Sequence, residues 1–246
     1  MKAPRLRGRL ARAGVQPLAA LFCVSSAVVF LYLMDEALEG GADRLDRAIL
    51  LALRRPDDPA TPIGPPWLLQ SAIDVSALGG FTVLWLLTLA AAGFLALARR
   101  WRALAILLAA IGGASLLNAV FKTGFHRARP DVVPHLTQSW SASFPSGHAM
   151  ISAAAYLTIA AILAETQRSR AARIYLLSLA ALTTVLIGLS RLYLGVHWPS
   201  DVAAGWAAGS AFALAFWIVT RRAAPETADA QAALERAGEQ EESAER

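Results

Sequence analysis

Six long apolar runs alternate with polar segments along the chain: 17–34, 76–98, 103–121, 148–165, 172–190 and 198–220. Each has the length of a membrane-crossing helix, roughly 17–25 residues. A backbone that faces lipid must satisfy its own polar groups, and a helix does so within one segment. The pattern therefore predicts an all-α polytopic membrane protein, six transmembrane helices in one bundle. The bundle domain is expected over 17–222, after a basic N-terminus, 1–16, and before a polar, acidic tail, 223–246, expected to be disordered. Gly79-Gly80 and Gly112-Gly113 fall inside or at the edge of two runs, where small residues let helices pack closely.

The polar segments are unequal. Residues 35–75 form a long loop in this reading. Within it, RLDRAILLALRR (44–55) has apolar residues at helical spacing between charges. That stretch either lies on the membrane surface as an amphipathic helix or packs on the bundle. PDDPATPIGPP (56–66) reads as a proline-rich turn region. The start, MKAPRLRGRLARAG, is basic and precedes an apolar run, as in a signal peptide. The run is longer than a usual signal core and ends in LYLMDEALEG, without a small-residue cleavage site, so a retained helix is expected.

Composition sharpens this picture. Hydrophobic residues make up 56% of the chain and charged residues 17%, against about 25% charged in soluble domains. The net charge is +5, and Lys2 and Lys122 are the only lysines. In a soluble protein such a balance would suggest nucleic acid. Here the basic residues follow the loops, so no nucleic-acid partner is expected. With the N-terminus inside, the inner segments up to Arg222 hold thirteen Lys and Arg and the outer ones eight. The positive-inside rule then places both termini in the cytoplasm. Cys23 is the single cysteine, so neither an intrachain disulfide nor a CxxC site is possible.

In this topology the loops 122–148 and 190–201 lie at one membrane face. They hold all four histidines (His126, His135, His148 and His197), with Lys122, Arg127, Arg129 and Arg191. Ionisable residues at membrane-helix ends mark candidate functional sites. KTGFHRARP (122–130) puts Lys122 and Arg129 two helical turns apart, on one face. They either hold a phosphate or anchor the helix end by snorkelling. In FPSGHAM (144–150), Ser146 is a candidate N-cap and Gly147 allows close backbone approach. Either the helix start receives an anion beside His148, or a capped helix turns its histidine to water. SRLYLGVHWPSD (190–201) sets His197 at a helix mouth and Asp201 one turn later. The pair either orients a nucleophilic imidazole or merely ties the helix start. Arg127 and His126 either reach a second phosphate or headgroup, or form a solvated rim.

Together these stretches resemble the three-part signature of the type 2 phosphatidic acid phosphatase superfamily, K-x6-RP, PSGH and SR-x5-H-x3-D. The matching residues are Lys122, Arg129 and Pro130; Pro145, Ser146, Gly147 and His148; Ser190, Arg191, His197 and Asp201. The resemblance implies hydrolysis of lipid phosphates or diphosphates with no metal and no cofactor. Lys122, Arg129, Arg191, Ser146 and Gly147 would bind the phosphoryl group, whose charge spreads over its equatorial oxygens. His197 would attack phosphorus, Asp201 would orient it, and His148 would protonate the leaving oxygen and then activate water. Pro130, Pro145 and Ser190 complete the motifs.

The expected place is the inner (cytoplasmic) membrane, with the site facing the periplasm or exterior. Undecaprenyl diphosphate is the favoured substrate on family grounds, with phosphatidate or phosphatidylglycerophosphate as runner-up. Two rivals remain: a metal hydrolase ligated by His148, His197 and Asp201, and a non-catalytic lipid-phosphate binding or transport protein. The sequence sets no oligomeric state.

Overall fold

The computed structural model describes residues 3–38, 44–139 and 141–219. Its elements are α1 (Ala3–Leu38), α2 (Arg44–Ala52), β1 (Arg54–Arg55), β2 (Asp58–Pro62), α3 (Pro66–Leu78), α4 (Phe81–Leu97), α5 (Trp101–Gly124), α6 (Gly147–Thr166) and α7 (Arg170–Tyr193). A further helix, α8, follows over Pro199–Val219. The all-helical membrane architecture read from the sequence stands. Among the described residues, five helical stretches are long and apolar enough to cross a membrane: Pro17–Ala37 within α1, then α5, α6, α7 and α8. The expected acidic tail, 223–246, lies outside the described residues.

The second apolar run differs from expectation. A helix over 76–98 was predicted, after a long loop. Instead α3 begins at Pro66 and ends at Leu78, and α4 continues from Phe81 at 45° to it. Taken as one bent span, the pair supplies the sixth crossing. Pro66 suits a first helical turn, where its missing N–H is not needed. Gly79 and Gly80 form the break, as C-cap and N-cap. A Cβ on Gly79 would collide with Ile187 Cγ2 and lie 3.4 Å from His148, so the break is pressed against α6 and α7.

Residues 44–62 of the 35–75 segment are also more ordered than a loop. The amphipathic stretch forms α2, and it packs on the bundle. Its Leu50 is fully buried in a cluster with Ala149, Leu192, Trp198 and Val202. The end of the amphipathic stretch, β1, pairs with β2 from the proline-rich region as a small antiparallel hairpin.

Helix α6 is the centre of the bundle, in contact with α4, α5 and α7. Its inner face is largely alanine, including the buried Ala149, Ala153, Ala154 and Ala155. On α8, Gly205 and Gly209 meet it backbone to backbone. A Cβ on Gly205 would sit 2.7 Å from Ser146 O and 2.9 Å from Ala149 Cβ. One on Gly209 would strike Met150 O. This is the small-residue packing by which helices associate in lipid. The outward faces carry exposed Leu, Phe, Val and Trp, among them Phe22, Phe81, Leu97 and Leu116, as a lipid-facing surface requires.

Candidate active site

The end of α5, the start of α6, the end of α7 and the start of α8 converge at one end of the bundle. Backbone bonds tie their loops together: Leu136 N donates to Leu194 O at 2.9 Å, and Ser146 N to Asp201 O at 3.0 Å. The rings of Phe30, Phe121, Phe125 and Phe144 pack behind the 144–148 turn, with centroids 5.1–6.0 Å apart.

A cavity of about 920 Å³ opens between these helix ends and runs down between α4 and α5. Lys122, Arg129, Gly147, His148, Arg191 and His197 line its upper part. Its lower part is apolar, with Leu84, Trp85, Leu89, Leu108 and Ile111. Thus residues from all three sequence motifs meet on one wall. Ser146 and Asp201 are fully buried and are not on that wall.

The cations are held by neutral oxygens, which leaves their charge uncancelled. Lys122 Nζ donates to Ser141 Oγ at 2.7 Å and to Ala142 O at 3.0 Å. Arg129 Nε donates to Ser141 O at 2.9 Å and its Nη1 to Val196 O at 2.5 Å. Arg191 Nη1 donates to Ser76 Oγ of α3 at 2.7 Å, and Nη2 to Ser139 Oγ at 3.3 Å. Its Nε is buried with no protein acceptor among the described residues. Burial lowers the Arg129 pKa, and Asp201 partly offsets this. A guanidinium nonetheless stays charged at neutral pH.

His197 is 2% exposed. Its Nε2 lies 3.4 Å from Arg129 Nη1, and its Nδ1 lies 3.6 Å from Asp201 Oδ2, just beyond hydrogen-bond length. Burial holds its pKa down to about 4, against the upward pull of Asp201. Neighbouring Arg129 and Arg191 lower it further. The ring is therefore neutral at pH 7, with Nε2 the nitrogen nearer the cations. The Asp201 carboxylate accepts from Arg127 Nη1 at 2.7 Å, from Trp198 N at 2.9 Å and from Ser143 Oγ.

Several expectations change in detail. Ser146 occupies the N-cap position of α6, but its side chain makes no capping bond, and its buried hydroxyl has no partner among the described residues. Pro130 O lies 2.8 Å from His135 Nε2, and Ser190 Oγ donates to Ile187 O at 2.6 Å, both structural roles. His126 is exposed, on the rim. Arg127 is not a solvated rim residue. Its side chain is 5% exposed and bridges Asp201 to Asp46 of α2.

Sequence reasoning missed Asp46, Ser76, Ser141 and Ser143. Each lies outside the motif positions, and only the fold brings it near. Asn118 carried a visible signal. It is the only asparagine in the chain and lies one turn before Lys122 within an apolar run. It lines the cavity beside Gly147, and its buried Oδ1 has no partner among the described residues.

The chain is similar to known proteins over much of its length. Residues 103–225 match the PAP2 superfamily. The chain is 34% identical over 190 residues to phosphatidylglycerophosphatase B of Bacillus subtilis, covering 76% of this chain and 88% of that one. It is 40% identical over 68 residues to an undecaprenyl-diphosphatase of Sulfolobus acidocaldarius, covering only 28% and 29%. Among solved structures, a transmembrane PAP2-type phosphatidylglycerolphosphate phosphatase from Bacillus subtilis superposes with a TM-score of 0.70. That match has 28% identity and covers 80% of this chain and 96% of the other. With its motifs gathered on one cavity and its fold shared along most of its length, the chain belongs to the PAP2 superfamily of membrane phosphatases.

Proposed function

We propose that the protein is a metal-independent lipid phosphatase that works through a phosphohistidine. The observation that carries this reading is the shared wall of Lys122, Arg129, Arg191 and neutral His197 above an apolar cavity. The cations would take the equatorial phosphoryl oxygens, and the Gly147 amide at the start of α6 would add a donor. His197 Nε2 attacks phosphorus. A P–N bond forms as the P–O bond to the lipid breaks, and His148 protonates the departing oxygen. His148 then takes a proton from water, which attacks phosphorus, releases phosphate and restores His197. Asp201 supports the cationic ring; its 3.6 Å separation from Nδ1 would tighten in the complex.

The apolar lower cavity suits a lipid chain entering from the bilayer. The long match to a phosphatidylglycerophosphatase supports phosphatidylglycerophosphate. The shorter match to an undecaprenyl-diphosphatase supports undecaprenyl diphosphate. The site would face the periplasm or exterior, as the loop charges suggest.

The test is phosphate release in detergent from phosphatidylglycerophosphate, undecaprenyl diphosphate and phosphatidate, with EDTA throughout. Release that vanishes in His197→Ala is expected, and the ratio of rates identifies the lipid. Loss of activity in EDTA would favour a metal hydrolase. Lipid binding without release would favour a transport or binding protein.

A further inference from the structure

Arg127 is a buried cation that meets two buried carboxylates. Its Nη1 donates to Asp201 Oδ1 at 2.7 Å and its Nη2 to Asp46 Oδ2 at 3.1 Å. Ser200 closes the circuit. It accepts from Arg127 Nη1 at 2.8 Å, and it donates to Asp46 through its hydroxyl at 2.5 Å and its amide at 2.9 Å. Asp46, Arg127 and Asp201 side chains are 6%, 5% and 0% exposed. Water therefore does little to screen their charges.

We propose that Asp46 is a positioning residue for catalysis, which acts through Arg127 and Ser200 to keep the charge of Asp201 available to His197. The proposal rests on the histidine mechanism above. An arginine facing Asp201 alone would cancel the charge that the imidazole needs as it becomes cationic. With Asp46 present, the guanidinium is shared between two carboxylates, and the trio keeps one net negative charge. Asp46 lies on α2, outside every motif position, and it makes the surface helix part of the catalytic apparatus. A helix that merely packed on the bundle would need only its apolar face, with Leu50 at the centre.

The experiment uses the full chain in detergent, with dioctanoyl phosphatidate as probe. Wild type, His197→Ala, Asp46→Asn and Ser200→Ala are compared for kcat, KM and thermal stability. The ring N–H proton of His197, identified by its loss in His197→Ala, is followed by NMR without substrate. Asp46→Asn is expected to lower kcat about tenfold, equivalent to one unit of lost proton affinity in the carboxylate–imidazole pair, with KM nearly unchanged. The His197 proton should move upfield, and Ser200→Ala should show both effects more weakly. A folded Asp46→Asn with wild-type kcat and an unmoved proton would overturn the proposal. So would failure of both variants to fold, since the network would then serve packing alone. An inactive wild type would instead count against the phosphatase reading, and the proton shift would still decide the role of Asp46.

Discussion

The neutral state of His197 can be tested through its coupling to stability. Burial depresses its pKa from an ordinary value of about 6.5 to about 4. Between those two values the unfolded chain binds a proton that the native site refuses. Stability therefore holds above pH 6.5 and is lost as pH falls toward 4. From pH 7 to pH 5 the loss from this single residue is about 2 kcal/mol. For a chain of this size that corresponds to roughly 4–8 °C in melting temperature. Other groups titrate in the same window, so the difference between wild type and His197→Gln is the useful quantity. Melting is followed in detergent at pH 7 and pH 5, and the wild-type drop should exceed the variant's by that amount. In 15N-histidine spectra, the signal absent from His197→Gln should stay neutral at pH 6. Equal drops, or a His197 signal that titrates near 6.5, would refute the reasoning and remove the case for a preformed neutral nucleophile.

Other outcomes follow from the same geometry. Ser76→Ala removes a 2.7 Å bond to the Arg191 guanidinium; hydrogen bonds to charge are worth about 1.5 kcal/mol or more, so kcat/KM should fall about tenfold. Arg191→Lys should lose more, because an ammonium cannot make the two-pronged contact; phosphate-release kinetics check both. Gly209→Val forces side-chain atoms against Met150 O and should cost roughly 1–3 kcal/mol with parallel loss of activity. Gly93→Ala, whose added Cβ meets nothing within 4 Å, should leave melting temperature unchanged or raise it. With Cys23 replaced by serine, His135→Cys at its exposed position should react with an impermeant thiol reagent from outside intact cells. Labelling only after lysis would reverse the proposed orientation.

Much of this architecture was legible in the sequence because lipid enforces a simple code. Four apolar runs became α5 to α8 with ends within a few residues of those expected. The second run was misread because α3 starts at a proline within a proline-rich stretch, which hides a helix start; Gly79 and Gly80 mark the bend, and Gly79 also packs against Ile187 and His148. At the site, the order of the motifs was readable, but the helix-face argument for Lys122 and Arg129 does not hold: α5 ends at Gly124, and Arg129 reaches the cavity from the loop beyond it. What spacing cannot convey is a partner from a distant element. Asp46 and Ser76 are ordinary polar residues in sequence; only the fold brings one to Arg127 and the other to Arg191. Arg127 was misplaced for the same reason, because an arginine in a basic loop looks solvated until its buried carboxylates are known.

The glycine contacts between α6 and α8 have a wider consequence. His148 is carried by one of these helices and Asp201 by the other. Where Gly205 and Gly209 meet α6, main chain touches main chain and small methyl groups, with no long side chain between them. Such a contact has no rotamers to exchange, so the spacing of the chemical groups is insulated from changes elsewhere in the core. The apolar wall contributed by α4 and α5 is built from large, replaceable side chains. The scaffold thus separates a fixed reaction from an adaptable lipid fit, and a new tail preference can arise by substitution on α4 or α5 while the phosphate chemistry stays as it is.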